Sequence, residues 1–257
     1  MDINSTLVAA VVFAFLIAFV FSMFGQGGGS VYSPLLILLG FSTLISTSTS
    51  LVLNLITSLA AGYIFYRKKM IDYKVSLIFA PGISIGAFAG GALSKSFNTT
   101  FLLWLFVVFL LGVGARMIYS YREKEKSEAE PPKSLSTGRY TLIALVGLAV
   151  GFIAGLLGVG GGIFIVPFMV YVLKYPTKIA AGSSHLIISF SAFSGILGHL
   201  TSHRFNIPLI VMTGIAVLIG GNLGARVSMK VNTKMIKAGL GLIMWVFAAQ
   251  LLVKLLG

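Results

Sequence analysis

The sequence contains eight long apolar stretches, and these constrain the possible folds more than any other feature. They cover residues 6–24, 45–66, 75–94, 101–120, 140–157, 179–200, 207–228 and 235–256. About 20 apolar residues in a helix cross the hydrocarbon core of a bilayer, and the stretches lack the alternation of β-barrel strands. Only 10% of the residues are charged, against roughly 25% in a soluble domain. The sequence therefore predicts an all-α polytopic membrane protein in contact with the lipid bilayer.

A glycine-rich motif occurs once in each half of the chain. The segment "GQGGGSVYSP" at residues 25–34 aligns with "GVGGGIFIVP" at residues 158–167. The similarity continues, since residues 43–51 align with residues 177–185. We therefore predict two membrane repeats, at residues 1–120 and 140–257. A charged linker at residues 121–139 lies between them.

Most of the basic residues fall into four groups, which lie at 67–74, 116–139, 174–178 and 226–237. Lys and Arg concentrate in cytoplasmic loops, so we place all four groups, and hence the linker, on the cytoplasmic side of the plasma membrane. This placement requires each glycine motif to form a broken or re-entrant helix, which gives five segments per half and an odd number of crossings. The second repeat is then inverted relative to the first, both termini lie outside, and the motifs meet near the midplane. These loops also explain the net charge of +13, so we predict no nucleic-acid partner.

The glycine motif predicts a break in the helix at this point, because each glycine inside a helix is unfavourable by about 1 kcal/mol. We expect a short helix to begin at about Ser30 and another at about Ile163, with Pro34 and Pro167 in their first turns. The first N–H groups of such a helix have no intrahelical partner and attract an anion. Other glycines at four-residue spacing are assigned to close helix packing: Gly82, Gly86, Gly90, Gly147, Gly151, Gly155, Gly220 and Gly224.

No acidic residue lies deep within an apolar stretch. The six acids are Asp2, Asp72, Glu123, Glu125, Glu128 and Glu130. The sequence therefore lacks an obvious intramembrane carboxylate for a proton relay, a sodium site or a cation filter. This favours a neutral or anionic substrate. The chain also has no cysteine, and we predict neither a metal site nor a cofactor.

Polar residues follow both short helices, and together with the motifs they form the candidate substrate-binding set. Its members are Gly25, Gln26, Gly27, Gly28, Gly29, Ser30, Thr49, Ser50, Asn54, Gly158, Gly160, Gly161, Gly162, Ser183 and Ser184. For any single Ser or Thr the alternative is a hydrogen bond to its own helix. His185 and His199 share one apolar stretch and are candidates for proton coupling. A neutral histidine that only packs in the core is the alternative for each of them.

The duplicated G-x-GGG-x(4)-P motif, followed by Thr49-Ser50-Leu51, resembles the sulfite exporter TauE/SafE family, also called the toluene sulfonate uptake permeases. The resemblance covers nearly the whole chain. Members are membrane transporters of sulfur-containing anions such as sulfite, sulfoacetate and other organosulfonates. The resemblance implies a binding region at residues 25–30 with Thr49 and Ser50, and at residues 158–162 with Ser183 and Ser184. The two halves differ at Gln26, which aligns with Val159, and at Leu51, which aligns with His185.

The residues predict a secondary transporter of a neutral or anionic substrate, and the resemblance implies that it exports small sulfur-containing anions. The main alternative is a transporter or channel for another small anion, such as thiosulfate, sulfate or a carboxylate. A further hypothesis is an intramembrane hydrolase that uses Ser194 and His199. Nothing in the sequence orients the base of such a hydrolase, and the repeat duplicates no catalytic pair. The sequence leaves the oligomeric state open.

Overall fold

The computed structural model describes residues 3–94, 100–119, 137–158, 160–200 and 205–256, and all regular structure in these ranges is helical. The helices are α1 (Ile3–Met23), α2 (Gly29–Leu38), α3 (Thr43–Arg67), α4 (Tyr73–Leu93), α5 (Thr100–Tyr119), α6 (Thr137–Leu157), α7 (Gly162–Pro167), α8 (Thr177–His199), α9 (Ile207–Lys230) and α10 (Thr233–Leu256). A π-helix (Phe168–Val172) continues α7. Most of the predicted linker lies outside the described residues, while its last residue, Arg139, belongs to the first turn of α6.

Seven helices in the described ranges are long and apolar enough to cross a membrane, namely α1, α3, α4, α6, α8, α9 and α10. The 20-residue helix α5 covers the remaining predicted stretch. Large apolar side chains point outward on several of these helices, for example Ile85, which is 62% exposed, and Leu242, which is 60% exposed. An outward apolar surface of this kind suits contact with lipid and not with water. The predicted all-α polytopic membrane fold is confirmed.

The two predicted helix breaks are present, and the short helices begin at Gly29 and Gly162. Their N-caps, Gly28 and Gly161, have φ angles of 101° and 77°, which are strained for residues with a side chain. Each proline is the sixth helical residue and therefore lies in the second turn, later than the sequence predicts. Proline has no N–H to donate there. In the second half the backbone widens into the π-helix directly after Pro167.

Helices of one half pack mainly against helices of the other half. The pairs are α1 with α9, α4 with α6, α3 with α9, α4 with α8, α3 with α8 and α5 with α10. If α1–α5 are exchanged with α6–α10 in order, the pair α1 with α9 becomes α4 with α6, and α3 with α9 becomes α4 with α8. The pairs α3 with α8 and α5 with α10 are unchanged by the exchange. The packing is thus reciprocal between the halves. The inversion of the repeats relative to a bilayer stays a prediction.

The glycines at four-residue spacing lie where these helices cross. A Cβ atom at Gly86 would overlap the backbone carbonyl of Leu148 on α6, and one at Gly151 would overlap that of Ile83 on α4. A Cβ atom at Gly220 would lie 2.5 Å from the carbonyl oxygen of Phe15 on α1. Small residues let helix backbones approach closely in membranes. The predicted packing role of these glycines is confirmed.

One end of the bundle carries many basic residues, and we call it the basic end. It comprises the end of α3, the start of α4, the start of α8 and the end of α9, at residues 67–74, 174–178 and 226–230. Asp72 connects these segments: its Oδ2 accepts a hydrogen bond from the Tyr175 hydroxyl (2.9 Å), and its N–H donates to Ser183 Oγ (2.9 Å). Burial, followed by the hydrogen bond to Asp72 and the charge of its carboxylate, raises the pKa of Tyr175. Lys178 Nζ donates to the carbonyl of Met229 (2.9 Å).

Candidate functional site

The two glycine motifs meet at Asn54, which lies near the middle of α3. Its Oδ1 atom accepts a hydrogen bond from the N–H of Gly29 (3.1 Å), at the start of the first short helix. A Cβ atom at Gly27 would overlap Oδ1, and a Cβ atom at Gly160 would overlap Nδ2. A single side-chain amide therefore touches both motifs, and glycine is needed on both sides of it.

Two equivalent serines bind the two motifs across the halves of the chain. Ser184 Oγ, in the second half, donates to the carbonyl of Gly25 (2.7 Å). Ser50 Oγ, in the first half, lies 3.1 Å from the carbonyl of Gly158 and 2.9 Å from that of Gly29. Ser50 aligns with Ser184, and Gly25 aligns with Gly158. The sequence repeat is therefore reflected in the contacts of the site itself.

The symmetry of the site is incomplete. Gly162, the counterpart of Gly29, packs against Gln26 and Ile188: a Cβ atom there would lie 2.8 Å from Gln26 Cα and 2.5 Å from Ile188 Cδ1. Ile188 stands where the repeat alignment places the counterpart of Asn54. The first half thus supplies an amide at the centre of the site where the second half supplies an apolar side chain.

Several buried polar atoms around this junction have no hydrogen-bond partner. Thr49 Oγ1 is buried without a partner, but Thr49 lies about 140° around α3 from Asn54 and does not face the junction. The unpaired atoms at the junction are Gln26 Nε2 and Oε1, Ser30 Oγ, Asn54 Nδ2 and Ser58 Oγ. The side chains that carry them are 5% exposed or less. Nearly all buried polar groups in proteins are paired, and these unpaired amides and hydroxyls are able to form hydrogen bonds to a polar ligand. The donors in this group are all uncharged.

The remaining predicted residues lie in several places. Ser183 is bound to Asp72 at the basic end and is not part of the junction. His185 is fully buried; its Nε2–H donates to the carbonyl of Ser22 (3.2 Å), and its Nδ1 has no partner. Its ring centroid lies 5.5 Å from that of Phe65. Gly28 and Gly161 act as helix N-caps, and Val159 lies outside the described residues.

The two histidines are separated. His199 Nε2–H donates to the carbonyl of Gly155 (3.1 Å), at the far end of α8. Fourteen helical residues separate it from His185, a distance of about 21 Å at 1.5 Å per residue. Gly155 lies three residues before Gly158, as Ser22 lies three residues before Gly25. Each histidine therefore binds the backbone just before one of the two glycine motifs.

Sequence reasoning missed Ser58 as a member of the site. Its Oγ would lie 2.7 Å from a Cβ atom at Gly27. Ser58 follows Asn54 by four residues on α3, so the two share one helix face, and this spacing could have identified it. The bond between the Tyr32 hydroxyl and Thr57 Oγ1 (2.9 Å), which ties α2 to α3, was also missed.

Apolar side chains cover the junction on both sides. Toward the basic end lie Phe65, Ala61, Ala181 and Ala225, which are fully buried. Toward the opposite end lie Ala10, Leu36 and Leu209, also buried. The candidate site is thus enclosed within the bundle. A polytopic helical protein with two broken helices that meet at an enclosed polar centre has the architecture of a membrane transporter.

Comparison with known proteins identifies the family. The chain belongs to the sulfite exporter TauE/SafE family, whose model matches residues 10–251. It is 30% identical to "Probable membrane transporter protein YunE" of Bacillus subtilis, over 95% of this chain and 97% of the relative. It is 25% identical to "Probable membrane transporter protein MJ0441" of Methanocaldococcus jannaschii, over 94% of each chain. No solved structure matches. The chain is therefore a membrane transporter, and the hydrolase hypothesis is set aside.

Proposed function

We propose that the protein exports small sulfur-containing oxyanions, sulfite or an organosulfonate such as sulfoacetate, across the plasma membrane. The anion binds at the junction of the two glycine motifs, within the candidate set predicted from the sequence. The description of the family, sulfite exporter TauE/SafE, supports the substrate class. The observation that carries the proposal is the group of unpaired, uncharged donors at Gln26, Ser30, Asn54 and Ser58.

Uncharged donors suit an anion that must be released again. Amide N–H and hydroxyl groups form strong hydrogen bonds to an ionised oxygen, and they do so without the attraction of a fixed positive charge. Asn54 Oδ1 now accepts the N–H of Gly29. An anion oxygen could replace Oδ1 as the acceptor and leave Asn54 Nδ2 free to donate to the same anion.

The distribution of acidic residues supports an anion over a cation. Asp72 is the acid that falls within the described residues, and it lies at the basic end, where it binds Tyr175. A cation at the junction would thus lack a carboxylate from the described part of the chain, and burying an unpaired charge is unfavourable by several kcal/mol. An oxyanion would instead find the donors it needs.

The first experiment is a thermal-shift screen of the purified protein against sulfite, thiosulfate, sulfoacetate, sulfate and acetate. We expect sulfite or sulfoacetate to raise the unfolding temperature most, because bound ligand stabilises the folded state. Transport is then measured in proteoliposomes loaded with the best ligand. Stabilisation by acetate alone, or by none of the anions, would contradict the proposed substrate class.

The matched variants are Asn54→Leu and Ile188→Leu, at aligned positions in the two repeats. Asn54→Leu removes the amide that touches both motifs, and we expect it to lower transport by at least about tenfold, the effect of losing one hydrogen bond to a charged group. Ile188→Leu keeps an apolar side chain of equal size and should transport within about threefold of wild type. Equal activity of both variants would place the anion elsewhere.

A further inference from the structure

A crevice of about 590 Å³ lies at the basic end, between the last turns of α3 and α9. Four basic side chains line it: Arg67 and Lys68 from α3, and Arg226 and Lys230 from α9. All four are exposed. Arg67 is held in place by Tyr63, whose hydroxyl accepts a hydrogen bond from Nη1 (3.3 Å) and whose ring centroid lies 6.0 Å from Cζ.

The positive charge of this crevice has no acidic counterpart in the described part of the chain. Asp72, the nearest acid in sequence, is already bound to Tyr175 and caps the first turn of α4 through Val75 N–H (3.1 Å). A basic residue near a helix C-terminus is favourable because of the helix dipole. The helix dipole does not account for two pairs of basic residues that line one cavity, because their like charges repel each other there. A bound anion would relieve the repulsion.

The walls of the crevice suit an anion that carries an apolar group. Ile64 and Met229 contribute apolar surface inside it. Tyr63, at its edge, is 53% exposed, and Leu59, one turn earlier on α3, is 56% exposed. These two residues share a helix face. An apolar surface therefore continues from the cationic crevice along the outer side of α3, where lipid chains would lie.

The crevice is separate from the candidate transport site. Phe65, Ala61, Ala181 and Ala225 form a fully buried cluster between the basic end and the glycine junction. Arg226 is exposed and lines the crevice, outside this buried cluster. An anion in the crevice would thus not contact Asn54 or the glycine motifs.

We propose that this crevice is a second binding site, for a phosphate-type oxyanion carried by the headgroup of an anionic lipid. The guanidinium groups of Arg67 and Arg226 bind the phosphate, Lys68 and Lys230 add charge, and the acyl chains follow α3 past Tyr63 and Leu59. Basic pockets between membrane helices bind anionic headgroups in this way.

The test uses the full chain in detergent, with three probes: phosphatidylglycerol, phosphatidylcholine and inorganic phosphate. Native mass spectrometry measures the bound lipids, and calorimetry measures phosphate. The double variant Arg67→Gln with Arg226→Gln should bind phosphatidylglycerol about thirtyfold more weakly, since each basic residue near an anionic headgroup contributes about a factor of five. Lys68→Gln with Lys230→Gln is an independent pair and should also weaken binding.

The matched control is Lys74→Gln with Arg139→Gln. It removes two positive charges from the same end of the bundle, because Lys74 lies over the ring of Tyr140 (5.6 Å) at the start of α6, but neither residue lines the crevice. We expect its affinity for phosphatidylglycerol to stay within about threefold of wild type.

The outcomes distinguish the two sources of the oxyanion. If the wild type and the control prefer phosphatidylglycerol to phosphatidylcholine and only the crevice variants lose this preference, the result supports a lipid headgroup as the ligand. Phosphate binding with the same sensitivity, but no lipid preference, supports the oxyanion site with a soluble ligand. Equal losses in crevice and control variants, or no binding of either anion, overturn the proposal.

Discussion

Two glycines with similar backbone angles show how a single residue can matter for the site. Gly160 and Gly40 have φ angles of 75° and 91°. A Cβ atom at Gly40 would meet nothing within 4 Å, whereas one at Gly160 would overlap the amide of Asn54. Alanine at either position adds about 1–2 kcal/mol of backbone strain. Only at Gly160 must it also displace the residue that joins the two motifs.

We therefore expect Gly160→Ala to abolish transport in proteoliposomes, and Gly40→Ala to lower thermal stability slightly while leaving transport within about twofold of wild type. The purified variants are compared by unfolding temperature, so that loss of fold is distinguished from loss of transport. If both alanine variants transport equally well, transport does not depend on the present position of the Asn54 side chain.

His185 supports a second prediction at this scale. Its Nδ1 atom is buried without a partner, and its Nε2–H binds the backbone next to the first motif. Protonation at Nδ1 would place a positive charge there and attract an anion, so a role of His185 in proton coupling predicts that transport rises as the pH falls. His185→Gln should flatten this profile, and His199→Gln, whose ring binds the equivalent backbone position before the second motif, shows whether the second half contributes. An unchanged profile in His185→Gln would remove the proposed role in proton coupling.

The sequence placed the glycines, Ser50 and Ser184 in the candidate set because the repeat aligned them, and Asn54 because it is a polar residue that follows the first short helix. It could not separate Ser184 from Ser183. Successive residues on a helix point about 100° apart, so Ser184 reaches the carbonyl of Gly25 while Ser183 reaches the N–H of Asp72. Which of two adjacent serines faces the motif depends on the rotation of α8, and packing against other helices determines that rotation.

At the scale of helices, the crossing of α4 and α6 depends on the absence of side chains. A Cβ atom at Gly86 would overlap the carbonyl of Leu148, while one at Gly112 on α5 would meet nothing within 4 Å. We expect Gly86→Ala to destabilise the protein by about 1–3 kcal/mol, as overpacking does in a well-packed core. Gly112→Ala should be neutral or stabilising by up to about 1 kcal/mol, because alanine favours helix.

Thermal unfolding of the purified protein in detergent measures both changes. The two substitutions are chemically identical and both lie inside helices, so any difference between them reports the helix crossing. A Gly86→Ala protein as stable as Gly112→Ala would show that α4 and α6 can separate without loss of stability.

The short helices were predictable as elements, but their detailed form was not. Both begin at a glycine with a left-handed conformation and both contain proline as their sixth residue. The helix around Pro34 remains α-helical, whereas the chain after Pro167 forms a π-helix. Proline removes a hydrogen bond in both halves, so it does not determine which helix widens. That difference arises from the tertiary contacts of each segment, which the repeat alignment does not contain.

For the whole molecule, the helix directions can be related through contacts between the halves. A Cβ atom at Gly220 would meet the carbonyl of Phe15, one at Gly224 would meet that of Phe19, and Ser228 Oγ donates to the carbonyl of Met23 (2.7 Å). The residue numbers rise together, so α1 and α9 run in the same direction. The start of α1 therefore lies at the end of the bundle opposite the basic end.

These directions sharpen the prediction that both termini lie outside and that the linker is cytoplasmic. The chain has no cysteine, so single cysteines can be introduced at Ser5, near the start of α1, at Ser127 in the linker, and at Asn232 between α9 and α10. Since Lys and Arg favour the cytoplasmic side, a membrane-impermeant maleimide should label Ser5→Cys in intact cells. It should label Ser127→Cys and Asn232→Cys only after the membrane is permeabilised.

Each outcome of this labelling bears on a different part of the prediction. If Asn232→Cys is labelled in intact cells and Ser5→Cys is not, the helix bundle is as described but its orientation in the membrane is the reverse of the predicted one. Labelling of Ser5→Cys and Ser127→Cys from the same side would give each half an even number of crossings, and the repeats would then be parallel and not inverted. Two motifs in parallel repeats would enter the bilayer from one side. They could meet at Asn54 only if the helix directions inferred from α1 and α9 were wrong, so the accessibility of Ser5 relative to Ser127 decides whether inverted repeats form the site.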